Sequence, residues 1–418
     1  MQVAEILVGL ASSNIDRLFT YLVPNSLKER IKLGVRVRIP FGHQTTEGFV
    51  LKIYDTDEKF DYELKEILEV IDEIPILNDE LIKLGKYMGE TTISYLISAY
   101  QAMLPPALKA GGSKTAKKKY KKYLSLSPNN NFIENYISKH KQAKKQIELI
   151  NYLKEKKEKI EKKELTNLFS TNIINELVKQ NVLKETSVEV YRIEDEIDAS
   201  LEKVVLTDEQ KIAYEKIINS LNKNETFLLY GVTGSGKTEV YMQVIEKVIQ
   251  NGKEAIVLVP EISLTPQMVR RFKRRFGPLV AVMHSGLSNN EKYDEWRKIR
   301  RGEVKIVVGA RSAIFAPFAN LGVIIIDEEH EATYKQENNP KYHARDIALW
   351  RAKYHNITLI LGSATPSLES FARAYKGVYT LLTLTKRVGN IELPTVEIVD
   401  LREEYKSGVR TNFSRRLI

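Results

Sequence analysis

Residues 227–241 read FLLYGVTGSGKTEVY: a short apolar run, a glycine-rich loop, then helix-forming residues. Gly231, Gly236, Lys237 and Thr238 fit the spacing G-x-x-x-x-G-K-[ST]. Each residue type has a physical task. The glycines let backbone N–H groups curl round a phosphate, so Gly231, Val232, Thr233, Gly234, Ser235 and Gly236 form the candidate cradle. Lys237 can reach the β- and γ-phosphates, and the Thr238 hydroxyl can ligate Mg²⁺. The helix that follows turns its positive end toward the same anion. A glycine turn before an ordinary helix is the bland alternative; the strand before and the helix after argue against it.

The surrounding sequence repeats this strand-then-helix pattern. Apolar runs at 227–229, 255–259, 279–283, 305–308, 323–326 and 358–361 alternate with helical spacing. That is the signature of an α/β unit with a parallel sheet, whose ligands bind at the carboxyl ends of the strands. Two further motifs follow such runs. After 323–326 come Asp327, Glu328, Glu329 and His330. Asp327 is placed to hold Mg²⁺ through water, and Glu328 to polarise an attacking water. After 358–361 come Gly362, Ser363, Ala364, Thr365 and Pro366. Alone this is only a turn. After a P-loop and an acidic box, its hydroxyls become candidates for sensing a γ-phosphate.

Toward the N-terminus the pattern changes. Stretches 2–10, 19–22, 34–40 and 47–54 alternate as strands, and 78–100 carries apolar residues at helical spacing. Residues 107–123 combine a Gly-Gly break with a lysine run. A basic tether touching nucleic acid and a solvated charge run both fit it. Helices are expected near 142–156, 164–169 and 172–180, then two short strands at 182–184 and 188–192 around a turn. Helix, helix, helix, wing is the winged-helix order. A helical spacer that touches nothing is the alternative.

The 418 residues exceed one core and imply two to four domains. The formal charge of +10 suits a polyanionic partner. No cysteine is present, which excludes disulfides and thiolate metal sites within these residues. No apolar run approaches membrane-spanning length, and the first residues do not read as a signal peptide. The expected location is cytoplasmic, with no membrane partner.

The three lobe motifs resemble motifs I, II and III of superfamily 2 helicases. Thr207-Asp208-Glu209-Gln210 stands at the position of their glutamine motif, making Gln210 the candidate adenine contact. VPEISLTPQ at 259–267 resembles their motif Ia, which lies along the DNA backbone. Together with GVTGSGKTEVY, HSGLS, GARSAIFAPF, IDEEH, YKQ, YHARD and GSATPSLES, these strings resemble the PriA family, the replication-restart helicases also called primosomal protein N′. The resemblance implies an α/β multidomain protein. It assigns 1–106 to an N-terminal β-rich 3′-end DNA-binding domain, 107–131 to a basic linker and 132–199 to a winged-helix domain. A RecA-like P-loop parallel-sheet lobe follows at 200–390, and 391–418 opens a second lobe. It implies ATP and Mg²⁺ as cofactors, with Lys237, Asp327 and Glu328 catalytic and Thr238 and Asp327 on the metal. His330, Ser363 and Thr365 would couple nucleotide state to DNA. Tyr334, Lys335, Tyr342, His343 and Arg345 match an aromatic-rich loop that meets DNA. Phe19, Tyr21, Gly42 and Lys65 match a pocket for the 3′ end of a nascent strand. Where the family usually has Asp, this chain has Thr20, which removes a carboxylate that would accept the 3′-hydroxyl. On the bland alternative, Phe19 and Tyr21 are core strand residues and the 334–346 stretch is a solvated loop.

The implied activity is ATP-dependent 3′-to-5′ DNA unwinding at stalled or abandoned forks, leading to primosome assembly. Implied partners are branched and single-stranded DNA, primosome proteins and single-stranded DNA-binding protein, on a monomer. The chain stops as the second lobe would begin, so motifs IV to VI, their arginine finger and the family's zinc cysteines are not in it. An arginine finger supplies about 10³–10⁵ in rate. Weak or no ATP hydrolysis by this chain alone is therefore expected. Two rival readings stay open: a different superfamily 2 translocase, and a non-catalytic module that binds forked DNA. A P-loop kinase is a distant third.

Overall fold

A computed structural model describes residues 1–58, 60–111, 117–193, 204–389, 396–408 and 410–417. Gly112 of the expected linker and residues 391–395 of the expected second-lobe entry lie outside them.

The alternating stretches near the N-terminus form β1 (Gln2–Val8), β2 (Leu18–Leu22), β3 (Arg36–Phe41), β4 (Gln44–Asp55) and β5 (Glu69–Val70). They pair antiparallel in the order β2-β1-β4-β3-β5. One face packs Ile6, Val8, Val37, Ile39 and Val50 into its own core. The helical stretch 78–100 is two helices, α1 (Asp79–Thr92) and α2 (Leu96–Ala102). The break follows from the β-branched run Thr91, Thr92, Ile93, which crowds a helix. Ile93 turns the chain at φ 49°.

The third unit departs from its reading in three places. Its elements are β6 (Lys119–Leu126), α3 (Asn130–Lys139), α4 (Lys144–Lys156), β7 (Ile160–Glu161), α5 (Lys162–Leu168), α6 (Thr171–Lys179) and β8 (Leu183–Val190). The lysine run expected to be linker is strand β6, at the centre of the sheet β7-β6-β8. Two of its lysines meet carboxylates: Lys121 meets Glu161 at 3.2 Å, and Lys122, still exposed, meets Glu185 at 2.6 Å. The expected hairpin at 182–192 is one unbroken strand paired to β6 throughout. Glu185-Thr186-Ser187 contains no residue that favours the positive φ of a tight hairpin. A fourth helix, α3, precedes the three expected.

The lobe comprises α7 (Asp208–Asn219), β9 (Thr226–Gly231), α8 (Lys237–Gln250), β10 (Glu254–Leu258), α9 (Pro266–Phe276), β11 (Val280–Met283) and α10 (Asn289–Arg300). It continues with β12 (Ile306–Gly309), β13 (Leu321–Ile326), α11 (Ala344–His355), β14 (Thr358–Ser363), α12 (Leu368–Tyr375) and β15 (Thr380–Leu384). All seven strands are parallel, in the order β11-β12-β10-β13-β14-β9-β15. Helices cover both faces, which is why the central strands are continuous apolar runs. Edge strand β15 was not expected; it carries no motif. Among the described residues, no helix is long and apolar enough to cross a membrane.

The N-terminal unit and the lobe share one core. Leu7 and Phe49 from the sheet pack with Leu81, Leu84 and Tyr100 of α1 and α2, and these continue into Trp296, Phe315 and Ala348 of the lobe. Inside this core the Glu80 carboxylate accepts from Arg351 Nη2 at 2.9 Å, and His355 Nε2 lies 3.0 Å away. Arg351, fully buried, also donates to the carbonyls of Ile314 and Ala316. Burial opposes the charge on Glu80, yet Arg351 and His355 outweigh it and hold the carboxyl down at about 2. The folded value lies below the unfolded one. Ionised Glu80 therefore stabilises the fold above pH about 4.5, and that contribution is lost as pH falls toward about 2. Replacing Arg351 by Met strands a buried carboxylate and should cost about 3–5 kcal/mol in urea unfolding at pH 7. The Arg351→Met protein should also lose less stability than wild type between pH 5 and about 3, where Glu80 is protonated in the unfolded chain but stays ionised in the folded wild type. Equal acid sensitivity would show that the pair does not link the two units energetically.

Candidate nucleotide site and DNA-facing groove

β13, β14 and β9 are neighbours in the sheet, so the acidic box, the Gly362–Thr365 turn and the P-loop leave from adjacent strand ends. The P-loop closes over its own backbone: Ser235 N–H donates to the Val232 carbonyl at 3.0 Å. Gly236 starts α8 at φ 80°, where a Cβ would sit 2.3 Å from Gln210 Nε2. Thr233 and Gly234 face solvent. Lys237, buried, donates to the Gly231 carbonyl at 2.9 Å and lies 3.9 Å from Glu328. Gln210 is held tightly. Its Oε1 accepts from Thr207 N–H at 2.9 Å as half of a capping box, and its Nε2 donates to the Ser235 carbonyl at 2.8 Å. In this conformation it braces the P-loop.

Asp327 is fixed from two sides. Tyr241 of α8 donates its hydroxyl to Asp327 Oδ1 at 3.0 Å, and Tyr334 donates to the Asp327 backbone carbonyl at 2.6 Å. Both tyrosines are buried. Burial and the Glu328 carboxylate push the Asp327 carboxyl up to about 6. A bound divalent cation would oppose that rise. Tyr241 passes directly over Gly362, where a Cβ would lie 1.6 Å from its hydroxyl oxygen. That close approach explains the glycine opening the third motif.

Glu328 is half exposed and has φ 45°, a left-handed backbone unusual for a residue with a side chain. Such strain at a site persists only where the surroundings enforce it. Glu329 points inward, accepting from Ser367 N–H at 2.7 Å, Ser370 Oγ at 2.8 Å and Arg345 Nη1 at 3.4 Å. The coupling candidates do meet. His330 Nδ1 lies 2.8 Å from Ser363 Oγ, and its Nε2 lies 3.3 Å from Thr365 Oγ1.

Phosphate and Mg²⁺ fit these residues. The buried Oγ of Ser235 has no hydrogen-bond partner among the described residues, inside a loop whose glycines keep the cradle open. Thr238 and Asp327 supply hard oxygen donors of the type Mg²⁺ takes.

The aromatic-rich loop is placed differently from its reading. Tyr334 and Tyr342 point inward, Tyr342 edge-on to Phe315 at 5.1 Å between centroids. His343 caps α11 by accepting Arg345 N–H at 3.1 Å, and burial with Arg345 nearby lowers its basicity. Arg345 faces Glu329. Of the five residues matched to this loop, Lys335 alone is exposed, its Nζ on the Lys341 carbonyl at 2.8 Å. Both rings are therefore unavailable for base stacking in this conformation. What faces solvent is a groove of about 690 Å³ that joins Glu261, His284, Ser285, Lys292, Arg311 and the 333–338 backbone. Of these, Glu261, His284, Ser285 and Arg311 come from the VPEISLTPQ, HSGLS and GARSAIF strings.

In the N-terminal sheet, Phe19, Tyr21, Gly42 and Lys65 converge on an open pocket of about 550 Å³, with Thr20 in its wall. Phe19 meets Phe41 edge-on at 5.2 Å, and Arg17 lies 5.1 Å over the Phe19 ring. The Tyr21 ring is buried and its hydroxyl donates to the Pro40 carbonyl at 3.1 Å. Lys65 Nζ reaches the Gly42 carbonyl at 3.5 Å. Sequence reading missed Arg17 and Tyr62 in this pocket, and Tyr241 at the metal carboxylate. Tyr241 sits in the quoted P-loop string, but nothing local marks it as a partner of a residue 86 positions later.

Residues 5–105 match the 3'DNA-binding domain (3'BD) of PriA, and residues 207–374 match the DEAD/DEAH box helicase family. Replication restart protein PriA of Bacillus subtilis (strain 168) is 44% identical over 482 residues, aligning 100% of this chain with 60% of its own length. The chain belongs to the PriA family. PriA of Chlamydia muridarum (strain MoPn / Nigg) is 38% identical, over 99% of this chain and 56% of its own. PriA of Haemophilus influenzae is 35% identical, over 93% and 53%. The chain thus spans about 53–60% of the length of these curated PriA relatives. Among solved structures, RecG bound to a three-way DNA junction aligns with 45% of this chain and 25% of its own, at TM-score 0.34 and 26% identity.

The Tyr241 contact makes a definite prediction for this PriA-family site. Tyr241→Phe should weaken Mg²⁺-dependent nucleotide binding by about 10–100-fold while leaving Mg²⁺-free binding nearly unchanged. Gly362→Ala should do at least as much, and Tyr241→Phe should partly relieve it in the double variant because the clashing oxygen is gone. Titration with a fluorescent nucleotide at several Mg²⁺ concentrations measures both.

Proposed function

We propose that these residues are the end-recognising and nucleotide-binding part of an ATP-dependent 3′-to-5′ DNA helicase. It would act at stalled or abandoned replication forks and initiate primosome assembly. The observation that carries this reading is the pocket where Phe19, Gly42 and Lys65 meet, on a sheet whose core runs into a P-loop lobe. An aromatic ring, a lysine and an open backbone suit the last base and phosphate of a strand. Thr20 can hydrogen-bond a 3′-hydroxyl but brings no charge to it. In the lobe, Lys237 and the P-loop N–H groups would hold the phosphates, and Thr238 and Asp327 the Mg²⁺ that neutralises their charge. Glu328 would orient the attacking water, and His330, Ser363 and Thr365 would relay the nucleotide state toward the groove. Gln210 would read adenine with the amide hydrogen it does not spend on the P-loop. The α4-β7-α5-α6-β8 order supports reading the third unit as a winged-helix domain that meets DNA. Primosome proteins and single-stranded DNA-binding protein are the proposed partners, in the cytoplasm.

The test is binding of forked DNA with a 3′-hydroxyl or a 3′-phosphate at the branch. The hydroxyl end should bind more tightly. Phe19→Ala should lower affinity for it by about 10–100-fold, the scale of one stacked base. Lys237→Ala should abolish ATP binding and leave DNA affinity unchanged. Binding indifferent to both the 3′ end and Phe19 would overturn end recognition and favour a different superfamily 2 translocase.

A further inference from the structure

The third unit is where DNA contact is least explained by its motifs. In a helix-turn-helix variant the second helix of the pair enters the groove. Here that helix is α6, TNIINELVK, with one acid and one base. Its Glu176 already accepts from Gln146 at 2.9 Å. Strand β6 has several lysines, but Lys121 and Lys122 are neutralised by Glu161 and Glu185, and neighbouring Lys118 lies 3.9 Å from Glu189. Neither element offers a single-sign surface.

The corner between α3 and α4 does. Residues 139–146 read KHKQAKKQ: four lysines, one histidine and no carboxylate. Lys139, Lys141, Lys144 and Lys145 are all exposed, and none makes an ion pair among the described residues. The corner is also rigid. His140 stacks on Tyr136 at 4.2 Å between ring centres, with Nδ1 at 3.0 Å from the Tyr136 carbonyl. The Tyr136 hydroxyl donates to Gln146 Oε1 at 2.8 Å, and Gln146 Nε2 continues to Glu176. A chain of hydrogen bonds thus braces α3, α4 and α6 behind the lysines. Local stability does not account for the cations. Lys144 and Lys145 stand in the first turn of α4, where positive charge opposes the helix dipole at about 0.3–1 kcal/mol each.

We propose that this lysine corner is the surface by which the third unit binds DNA, through backbone phosphates and without sequence preference. The inference rests on the reading of the chain as a DNA-binding protein. Lysine acts here as a point charge on a flexible stem, suited to phosphates whose spacing it need not match. Neutralising phosphates releases counterions, so each lysine in contact adds about 0.9 to the salt slope of binding.

The experiment compares the 418-residue chain with a variant carrying Lys139→Gln, Lys141→Gln, Lys144→Gln and Lys145→Gln. Affinity for forked duplex DNA is measured across a potassium chloride series, with 3′-hydroxyl and 3′-phosphate versions of the fork. A control variant neutralises Lys157, Lys159, Lys163 and Lys184, an equal charge elsewhere on the same unit. The corner variant should bind at least 10-fold more weakly at low salt, with the log–log salt slope reduced by about 2–4. Its preference between the two 3′ ends should be unchanged, and its far-ultraviolet circular dichroism and urea unfolding should match wild type, which reports an intact third unit. The control should lose less than half of that slope. An unchanged slope in the corner variant, or an equal loss in the control, would overturn the corner assignment alone. A wild-type chain that binds neither fork would overturn the proposed function and this inference together.

Discussion

Three consecutive carboxylates at the end of a buried strand are an electrostatic problem that the lobe has to solve. The run Val323 to Ile326 carries Asp327, Glu328 and Glu329 to the edge of the sheet, where like charges crowd and water is limited. Each is served by a different part of the chain. Asp327 takes the Tyr241 hydroxyl from α8. Glu328 lies between Lys237 and His330. Glu329 turns inward to Ser367, Ser370 and Arg345, at the starts of α12 and α11. Distributing the donors this way ties the P-loop helix, the third motif and the loop after the acidic box to one strand end. A change at Asp327 or Glu329 therefore reaches the other elements through hydrogen bonds, and one at Glu328 through its longer charge contacts with Lys237 at 3.9 Å and His330 at 3.7 Å.

Much of this was legible from residue type and spacing. The P-loop, the acidic box and the Gly362–Thr365 turn were readable because each motif is local and each follows an apolar run. Their meeting at one edge follows from parallel strand topology. Other features depend on partners far away in sequence. The lysine run within 107–123 reads as a linker until β8 supplies its pairing partner and β7 and β8 its glutamates. The 78–100 stretch reads as helical, but periodicity does not register the left-handed residue at Ile93 that divides it. Strand β15 carries no motif and was passed over.

The aromatic residues show the limit of type-based reading most clearly. Tyr334 and Tyr342 were assigned to DNA because aromatic rings near cations suit bases. The fold uses them as internal struts, one on the Asp327 backbone and one against Phe315. Their residue type was informative about a loop that matters, but not about the direction in which the rings point. In the N-terminal sheet the Phe19 ring lines the open pocket, whereas the Tyr21 ring belongs to the core.

The core shared by the N-terminal sheet, α1, α2 and the lobe sets a fixed length scale. Leu7 and Phe49 behind the end pocket are linked through Leu81 and Tyr100 to Trp296 and Phe315 in one apolar cluster, beside the buried Glu80–Arg351 pair. Two modules joined by a flexible tether could take up any separation. Modules joined by packed side chains act as a caliper, because sliding them apart would open cavities or strand the Glu80 charge. A strand end seated against Phe19 would then lie at one set distance from the groove of the lobe. The number of nucleotides between the two would be a property of the protein rather than of the DNA.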